Sequence, residues 1–176
     1  MNVLLTYPQY PASFFSFKYA LGFVSKKASV PPLGLITLSA LLPVTWQRRL
    51  VDLNVSPLLD EDLEWADYVF ISAMYIQKGS VDQILESCAG HQVLCVAGGP
   101  LFTHEFASYP HIDHFILNEA EITLPQFLKD LTSGKPPRRV YSTETFAAIT
   151  SSPVPHYHLL SRKAYASMNM QFSRGC

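Results

Sequence analysis

The chain has 176 residues, 48% of them hydrophobic and 15% charged, so it can bury an ordinary core and is excluded from the disordered class. Its 13 Lys and Arg are matched by 14 Asp and Glu, which leaves no electrostatic footprint for nucleic acid or for an anionic membrane surface. No run approaches the roughly 18 apolar residues of a spanning helix, and Met1-Asn2-Val3-Leu4-Leu5 does not open like a signal peptide; no membrane span and a cytoplasmic location are expected.

Asn2–Tyr7 reads as a short buried strand stopped by Pro8 and Pro11. Phe14–Val24 is rich in Phe and Tyr without a clean period, which predicts a long loop with about one helical turn. Leu33–Leu42, entered through Pro31 and Pro32, is apolar on nearly every side, as suits a helix held between a sheet and a further neighbour. Arg48–Leu53 is the second expected strand. Asp60, Glu61, Asp62 and Glu64 then put negative charge at the start of a short helix before Trp65. Tyr68–Ala73 is the third strand, and Ser80 with Gln83 reads as the capping box of a helix whose Val81, Ile84, Leu85 and Cys88 recur at helical spacing.

Val93–Ala97 is an apolar run too short for a helix, halted by Gly98, Gly99 and Pro100. Such a strand is buried on both faces of a parallel sheet, and ligands dock beyond the carboxyl ends of such strands. Thr103–Ser108 is a short helix and Asp113–Leu117 the fifth strand. The next helix carries Leu124, Phe127, Leu128 and Leu131 on one face with Pro125 in its first turn, and Gly134, Pro136 and Pro137 end it.

Strands alternating with helices predict an α/β fold over 1–137: a doubly wound five-stranded parallel sheet, flavodoxin-like or Rossmann-like, in the order 2-1-3-4-5 with helices on both faces. Its switch point would build a crevice from Tyr7–Tyr10, Met74–Gly79, Gly98–Thr103 and Asn118–Glu121. From Arg138 the composition turns to Ser, Thr, Pro and His. Residues 138–176 are expected to be an extended linker, stiffened by Ser152-Pro153-Val154-Pro155 and pinned to a neighbour by lone Tyr157, Leu159, Leu160 and Tyr165, leading into a new strand at Met168–Phe172, as though the sequence stopped at a domain boundary.

Gly98-Gly99 would either let a ligand approach the backbone or simply form a tight turn. It is not a dinucleotide fingerprint, and no Walker loop is present. Glu119 and Glu121 are candidates for a hydrogen-bonding or acid–base pair, or for helix caps. The pairs His111/His114 and His156/His158 lack a Cys or carboxylate at metal-site spacing. Cysteines number 3 and are far apart, so no disulfide framework is expected, and Cys88 and Cys95 read as buried thiols.

One ordered set of motifs spans the whole chain: Pro31-Pro32-Leu33-Gly34-Leu35, Val51-Asp52-Leu53-Asn54, Ala66-Asp67, Ser72-Ala73-Met74 with Gln77, Gly98-Gly99-Pro100, Glu119-Ala120-Glu121 with Thr123-Leu124-Pro125, and Gln171-Phe172-Ser173-Arg174-Gly175-Cys176. It resembles the N-terminal part of cobalamin-binding-type radical S-adenosylmethionine enzymes, the group that includes the anaerobic magnesium-protoporphyrin monomethyl ester cyclases and the hopanoid methylases. The resemblance implies that the Rossmann-like domain holds cobalamin, its nucleotide tail entering the crevice. The cofactor-binding residues would be Tyr7, Pro8, Ser72, Met74, Gln77, Gly98, Gly99, Pro100, Asn118, Glu119 and Glu121.

It further implies that Cys176 opens the Cys-x-x-x-Cys-x-x-Cys loop of a 4Fe-4S cluster, completed only in a longer protein that carries a radical S-adenosylmethionine barrel in cis. One cysteine cannot hold the cluster, so this chain alone is expected to be non-catalytic. Tyr7-Pro8-Gln9-Tyr10-Pro11 stands where better-known cobalamin proteins carry Asp-x-His-x-x-Gly, which implies cobalamin without a protein histidine ligand. The implied reaction is methyl transfer or cyclisation on a hydrophobic or tetrapyrrole-like substrate. The alternatives are a free-standing flavodoxin-like binding or regulatory module and, third, a flavin or nucleotide carrier.

Overall fold

The computed structural model describes residues 1–12, 17–134 and 136–173. The strands are β1 (Asn2–Tyr7), β2 (Gln47–Asp52), β3 (Tyr68–Ser72), β4 (Leu94–Gly98), β5 (His114–Ile116) and β6 (Val140–Tyr141). They form one parallel sheet in the order β2-β1-β3-β4-β5-β6. This corrects the expected sheet: it has six strands, not five, and its order is extended by a strand beyond β5. Val140 and Tyr141, expected in a linker, pair with Phe115 and Ile116. A two-residue strand has too little period to be legible in sequence, and the β5 edge selects it by offering unpaired backbone groups.

The helices are α1 (Lys18–Phe23), α2 (Leu33–Leu41), α3 (Asp60–Trp65), α4 (Lys78–His91), α5 (Pro100–Glu105) and α6 (Ala120–Thr132). Alternating side chains of each central strand enter different cores, which is why the strands read as continuous apolar runs. Leu4, Val69, Ile71, Cys95, Ala97 and Phe115 pack with Leu63 of α3, Val81 and Ile84 of α4, and Leu101 and Phe102 of α5. Val3, Leu5, Phe70, Val96 and Ile116 pack on the opposite face with Leu35 of α2 and with Leu124 and Phe127 of α6.

The further neighbour expected of α2 is the C-terminal segment. Ile36 lies fully buried against Leu160, Ala164 and Tyr165. The segment is pinned by hydrogen bonds from His156 N to Ile36 O at 3.0 Å and from Ala166 N to Ala28 O at 2.9 Å. Met168–Phe172 forms no strand, since no sheet edge stands beside it to complete a ladder. Of Phe14–Val24, residues 14–16 lie outside the described residues, and α1 occupies most of the rest.

Three helix starts differ from expectation. A 3₁₀ turn at Tyr75–Gln77 lets α4 begin at Lys78, so Ser80 is inside the helix and accepts a hydrogen bond from Gln9 N at 2.9 Å rather than forming a capping box. The box-like exchange is made earlier, where Met74 N donates to Gln77 Oε1 at 2.8 Å. Helix α5 starts at Pro100, the first helical position, where a missing N–H costs nothing. In α6, Pro125 lies inside the helix rather than in the first turn. It removes one helical donor, and burial of the flanking Leu124 and Phe127 holds the helix together across it.

The β4–α5 turn is the tightest point of the sheet. A Cβ at Gly98 would sit 2.6 Å from the Ile116 carbonyl oxygen of β5. Gly99 has a φ of +89°, and a Cβ there would meet the Ser72 hydroxyl at 2.9 Å and the Ala73 carbonyl at 3.0 Å. Both glycines are therefore required by strand packing, whatever binds nearby. Gly99→Ala is expected to destabilise the chain by about 1–3 kcal/mol, read as a lower urea midpoint at unchanged slope. An unaltered midpoint would show that the turn relaxes around a side chain.

Candidate functional site

Beyond the carboxyl ends of β3, β4 and β5, α2 and the start of α6 flank a cleft of about 870 Å³. Phe70, Ile71, Val96, Ala97 and Ile116 form its floor, and Leu33, Leu35, Thr37, Leu38 and Leu41 line it from α2. The C-terminal segment contributes Phe146 and residues 169–173. Among the described residues, the lining contains no Lys, Arg or His; its ionisable members are Glu119 and Glu121.

Of the residues singled out from sequence, Ser72, Gly98, Gly99, Pro100, Asn118, Glu119 and Glu121 line this cleft. The two glutamates also anchor the chain beyond α6: Ala147 N donates to Glu119 Oε2 at 3.4 Å, and the Ser152 hydroxyl donates to Glu121 Oε1. Asn118, in the left-handed region with a φ of 64°, donates from Nδ2 to Thr143 O at 2.6 Å. The polar start of α6 thus carries the segment that closes one side of the cleft.

Tyr7, Pro8, Met74 and Gln77 are not in the cleft lining. They build a separate network at the ends of β1 and β2. The Tyr7 and Tyr10 hydroxyls lie 2.7 Å apart, the Tyr10 hydroxyl donates to Met74 Sδ at 3.5 Å, and buried Gln77 donates from Nε2 to Pro8 O. Asn54 joins in by donating to Pro8 O at 3.2 Å and to Asp52 Oδ1 at 2.7 Å, while accepting from Tyr10 N at 2.9 Å. Both ends of the Gln77 amide are therefore committed to protein, which makes it a tie between the β1 and β3 loops.

Residues that the sequence did not reveal are Thr37, Leu38 and Leu41 of α2, together with Phe146, Asn169, Met170, Gln171 and Phe172. The all-round apolarity of α2 was a usable signal for the first group, since its sheet-facing side has more apolar surface than packing consumes. Residues 169–172 gave none, because a polar and apolar mixture read as a strand carries no trace of which cleft it will cross.

Cys88 and Cys95 are buried as expected, and the hydrogen bond to the neighbouring Cys88 thiol, together with burial, pushes the Cys95 thiol up. Among the described residues no three His, Cys, Asp or Glu side chains assemble a metal site. Cys176, expected as an iron ligand of a longer protein, lies outside the described residues. No described helix is long and apolar enough to cross a membrane.

The C-terminal segment reaches the β2 end through Tyr165, whose hydroxyl donates to Asp52 Oδ2 at 3.0 Å in a buried pair. Desolvation raises the phenol of Tyr165, with the Asp52 charge adding to it, so Tyr165 remains a donor. Burial likewise raises the Asp52 carboxyl above its ordinary 3.8, opposed by the Asn54 and Tyr165 hydrogen bonds.

No family model matches the chain. It is 38% identical over 178 residues to an uncharacterised methyltransferase of Synechocystis sp., a match covering 100% of this chain and 33% of that protein. It is 31% identical over 179 residues to the hopanoid C-2 methylase of Rhodopseudomonas palustris, covering 99% of this chain and 34% of that enzyme. The chain is thus homologous to a protein named as a methyltransferase and to a methylase, and spans about a third of the length of each.

Because Asp52 holds its proton more tightly folded than unfolded, its contribution to stability is greatest below pH 3.8 and is lost as pH rises through its folded value; at neutral pH the buried charge is a cost. Asp52→Asn should therefore gain urea midpoint relative to the parent as pH is raised from about 4 to about 7. A difference that stays constant over that range would contradict this.

Proposed function

We propose that this chain is the cobalamin-binding domain of a methylating or cyclising enzyme, and that the nucleotide tail of the corrinoid enters the cleft between α2 and α6. The observation that carries this reading is the cleft itself: large, apolar-floored, at the carboxyl ends of parallel strands, and free of cationic side chains among the described residues. A neutral heteroaromatic base suits it. A flavin mononucleotide or nucleoside phosphate suits it less, because its terminal phosphate dianion would stand against Glu119 and Glu121, whereas the corrinoid tail carries the single charge of a phosphodiester.

The residues present fit the group in this limited sense. Leu38, Leu41 and Ile116 would pack on the base, with Ser72 and Asn118 supplying polar contacts at the strand ends. No His lines the cleft among the described residues, and the β1 loop offers Tyr7 and Tyr10 where an imidazole would be needed, which favours cobalamin held without a protein histidine. Tyr7, Pro8, Met74 and Gln77, committed to one another outside the cleft, would then hold the loops at the ends of β1 and β3 rather than contact the tail. Bound cobalamin would supply an alkyl carrier, and this chain would supply its position and an apolar enclosure.

Catalysis would reside in a longer protein. Homology to two proteins about three times as long leaves room for a C-terminal radical S-adenosylmethionine barrel in cis, acting on a hydrophobic or tetrapyrrole-like substrate. The described residues do not fit an iron–sulfur cluster, so no step of this domain is assigned to one.

Visible-range titration should show hydroxocobalamin changing its spectrum and co-eluting with the chain, while cobinamide, which lacks the nucleotide tail, binds more weakly and flavin mononucleotide does not bind. No spectral change and no retained corrinoid would overturn the reading. Thr37→Trp, on the cleft side of α2, should lower hydroxocobalamin affinity by about tenfold or more with an unchanged circular dichroism spectrum. Equal binding by that variant would place the tail elsewhere.

A further inference from the structure

The even balance of charge over the whole chain conceals a local asymmetry. The stretches 17–30 and 161–168 contain no Asp or Glu and carry Lys26, Lys27, Arg162 and Lys163. The fold brings the two stretches together. Ala28 pairs in parallel with Tyr165, Lys27 N donates to Ala164 O at 2.8 Å, and Ser167 N donates to Ser29 O at 2.9 Å.

The cations stay at the surface. Lys26 Nζ donates to Lys163 O at 2.9 Å and Lys27 Nζ to Val55 O at 3.0 Å, while Arg162 and Lys163 are exposed. Among the described residues none of these side chains takes part in an ion pair. Asp52, the carboxylate that Tyr165 meets from this region, is buried and also held by Asn54, so its oxygens are not offered to the surface.

Apolar side chains stand beside them. Leu21 anchors α1 from a buried position, yet Phe23 at the helix end is 92% exposed, and Phe17, Val24, Val30 and Met168 are exposed too. A turn holds Phe23 and Val24 outward: Val24 N and Lys26 N both donate to Leu21 O, at 3.2 and 2.9 Å, and Ser25 takes a left-handed φ of 53°. Single exposed apolar residues need no explanation. Several of them, bordered by cations without carboxylate partners, have the make-up of an interfacial segment, whose apolar groups enter the acyl boundary while Lys and Arg meet anionic headgroups.

We propose that the α1 turn and the adjoining 161–168 stretch form a peripheral docking surface for an anionic lipid bilayer, with Phe23 and Val24 inserted at the headgroup level and Lys26, Lys27, Arg162 and Lys163 against the lipid phosphates. Charge complementarity commits the surface to that partner, because a two-fold contact with a second copy would set the same cations against one another. None of these residues lines the cleft, so the proposal does not depend on what the cleft binds.

The test is co-sedimentation of the 176-residue chain with vesicles of phosphatidylcholine alone and of phosphatidylcholine containing about 30% phosphatidylglycerol. The chain should partition onto the anionic vesicles about tenfold more strongly than onto the neutral ones, and raising salt from about 0.1 M to about 1 M should remove most of that difference. The double variant Arg162→Gln, Lys163→Gln should lose about tenfold in partitioning onto anionic vesicles, as should Phe23→Ser. Both should melt at the parent temperature, since substitutions at exposed positions change stability little. No binding to anionic vesicles, equal binding to the two vesicle types, or parent-like binding by either variant overturns the proposal. So does a dimer in sedimentation equilibrium that Phe23→Ser dissociates, which would give the surface to a second copy.

Discussion

The close approach of β4 to its neighbours governs the rest of the structure. Gly98 lies so near the β5 backbone that a methyl group would reach within 2.6 Å of the Ile116 carbonyl, and Gly99 turns the chain with a φ of +89° against Ser72 and Ala73. Backbone cannot give way as a flexible side chain can, so these positions admit glycine only. The turn lets α5 start at once on one face, while α2 and α6 cover the other and leave a cleft above β3, β4 and β5. A pair that would suit a ligand platform is first of all a condition for strands to meet, and the cleft is a consequence of that meeting.

The second determinant is electrostatic. Asp and Glu outnumber Lys and Arg by very little overall, 14 against 13, yet the described lining of the cleft holds two carboxylates and no cation. In a partly enclosed space such an imbalance acts at close range, where screening is weak, and it disfavours a phosphate dianion placed beside the start of α6. The same carboxylates accept hydrogen bonds from Ala147 and Ser152, so their charge is tied to keeping the C-terminal segment in place. Site and scaffold share these residues, which is why a substitution at Glu119 or Glu121 would move both.

The C-terminal segment changes the picture of the molecule most. Its Ser, Thr, Pro and His composition reads as a linker, but Val140 and Tyr141 complete the sheet, Tyr165 meets the buried Asp52, and Leu160 and Ala164 cover the outer side of α2. Hydrophobic anchors separated by irregular backbone leave no period to detect. Two traces of this arrangement were legible beforehand: the apolar excess of α2, because a helix apolar all round must have two neighbours, and the lone Tyr157, Leu159, Leu160 and Tyr165, which read as pins for the tail. In the candidate site, the residues at strand ends were legible from the rule that parallel sheets bind at their carboxyl edge, whereas Tyr7, Pro8, Met74 and Gln77 share that edge but turn to one another.

Local pattern was enough for the parallel α/β class, the identity of the central strands and the glycine turn, since short apolar runs stopped by Gly and Pro are signals that any packing must respect. Packing in three dimensions was needed to show that a two-residue strand closes the sheet, that the crevice opens between α2 and α6, and that Asn169 reaches it from the far end of the chain. Those outcomes depend on which surfaces remain uncovered once the sheet has formed, and no short stretch of residues carries that information.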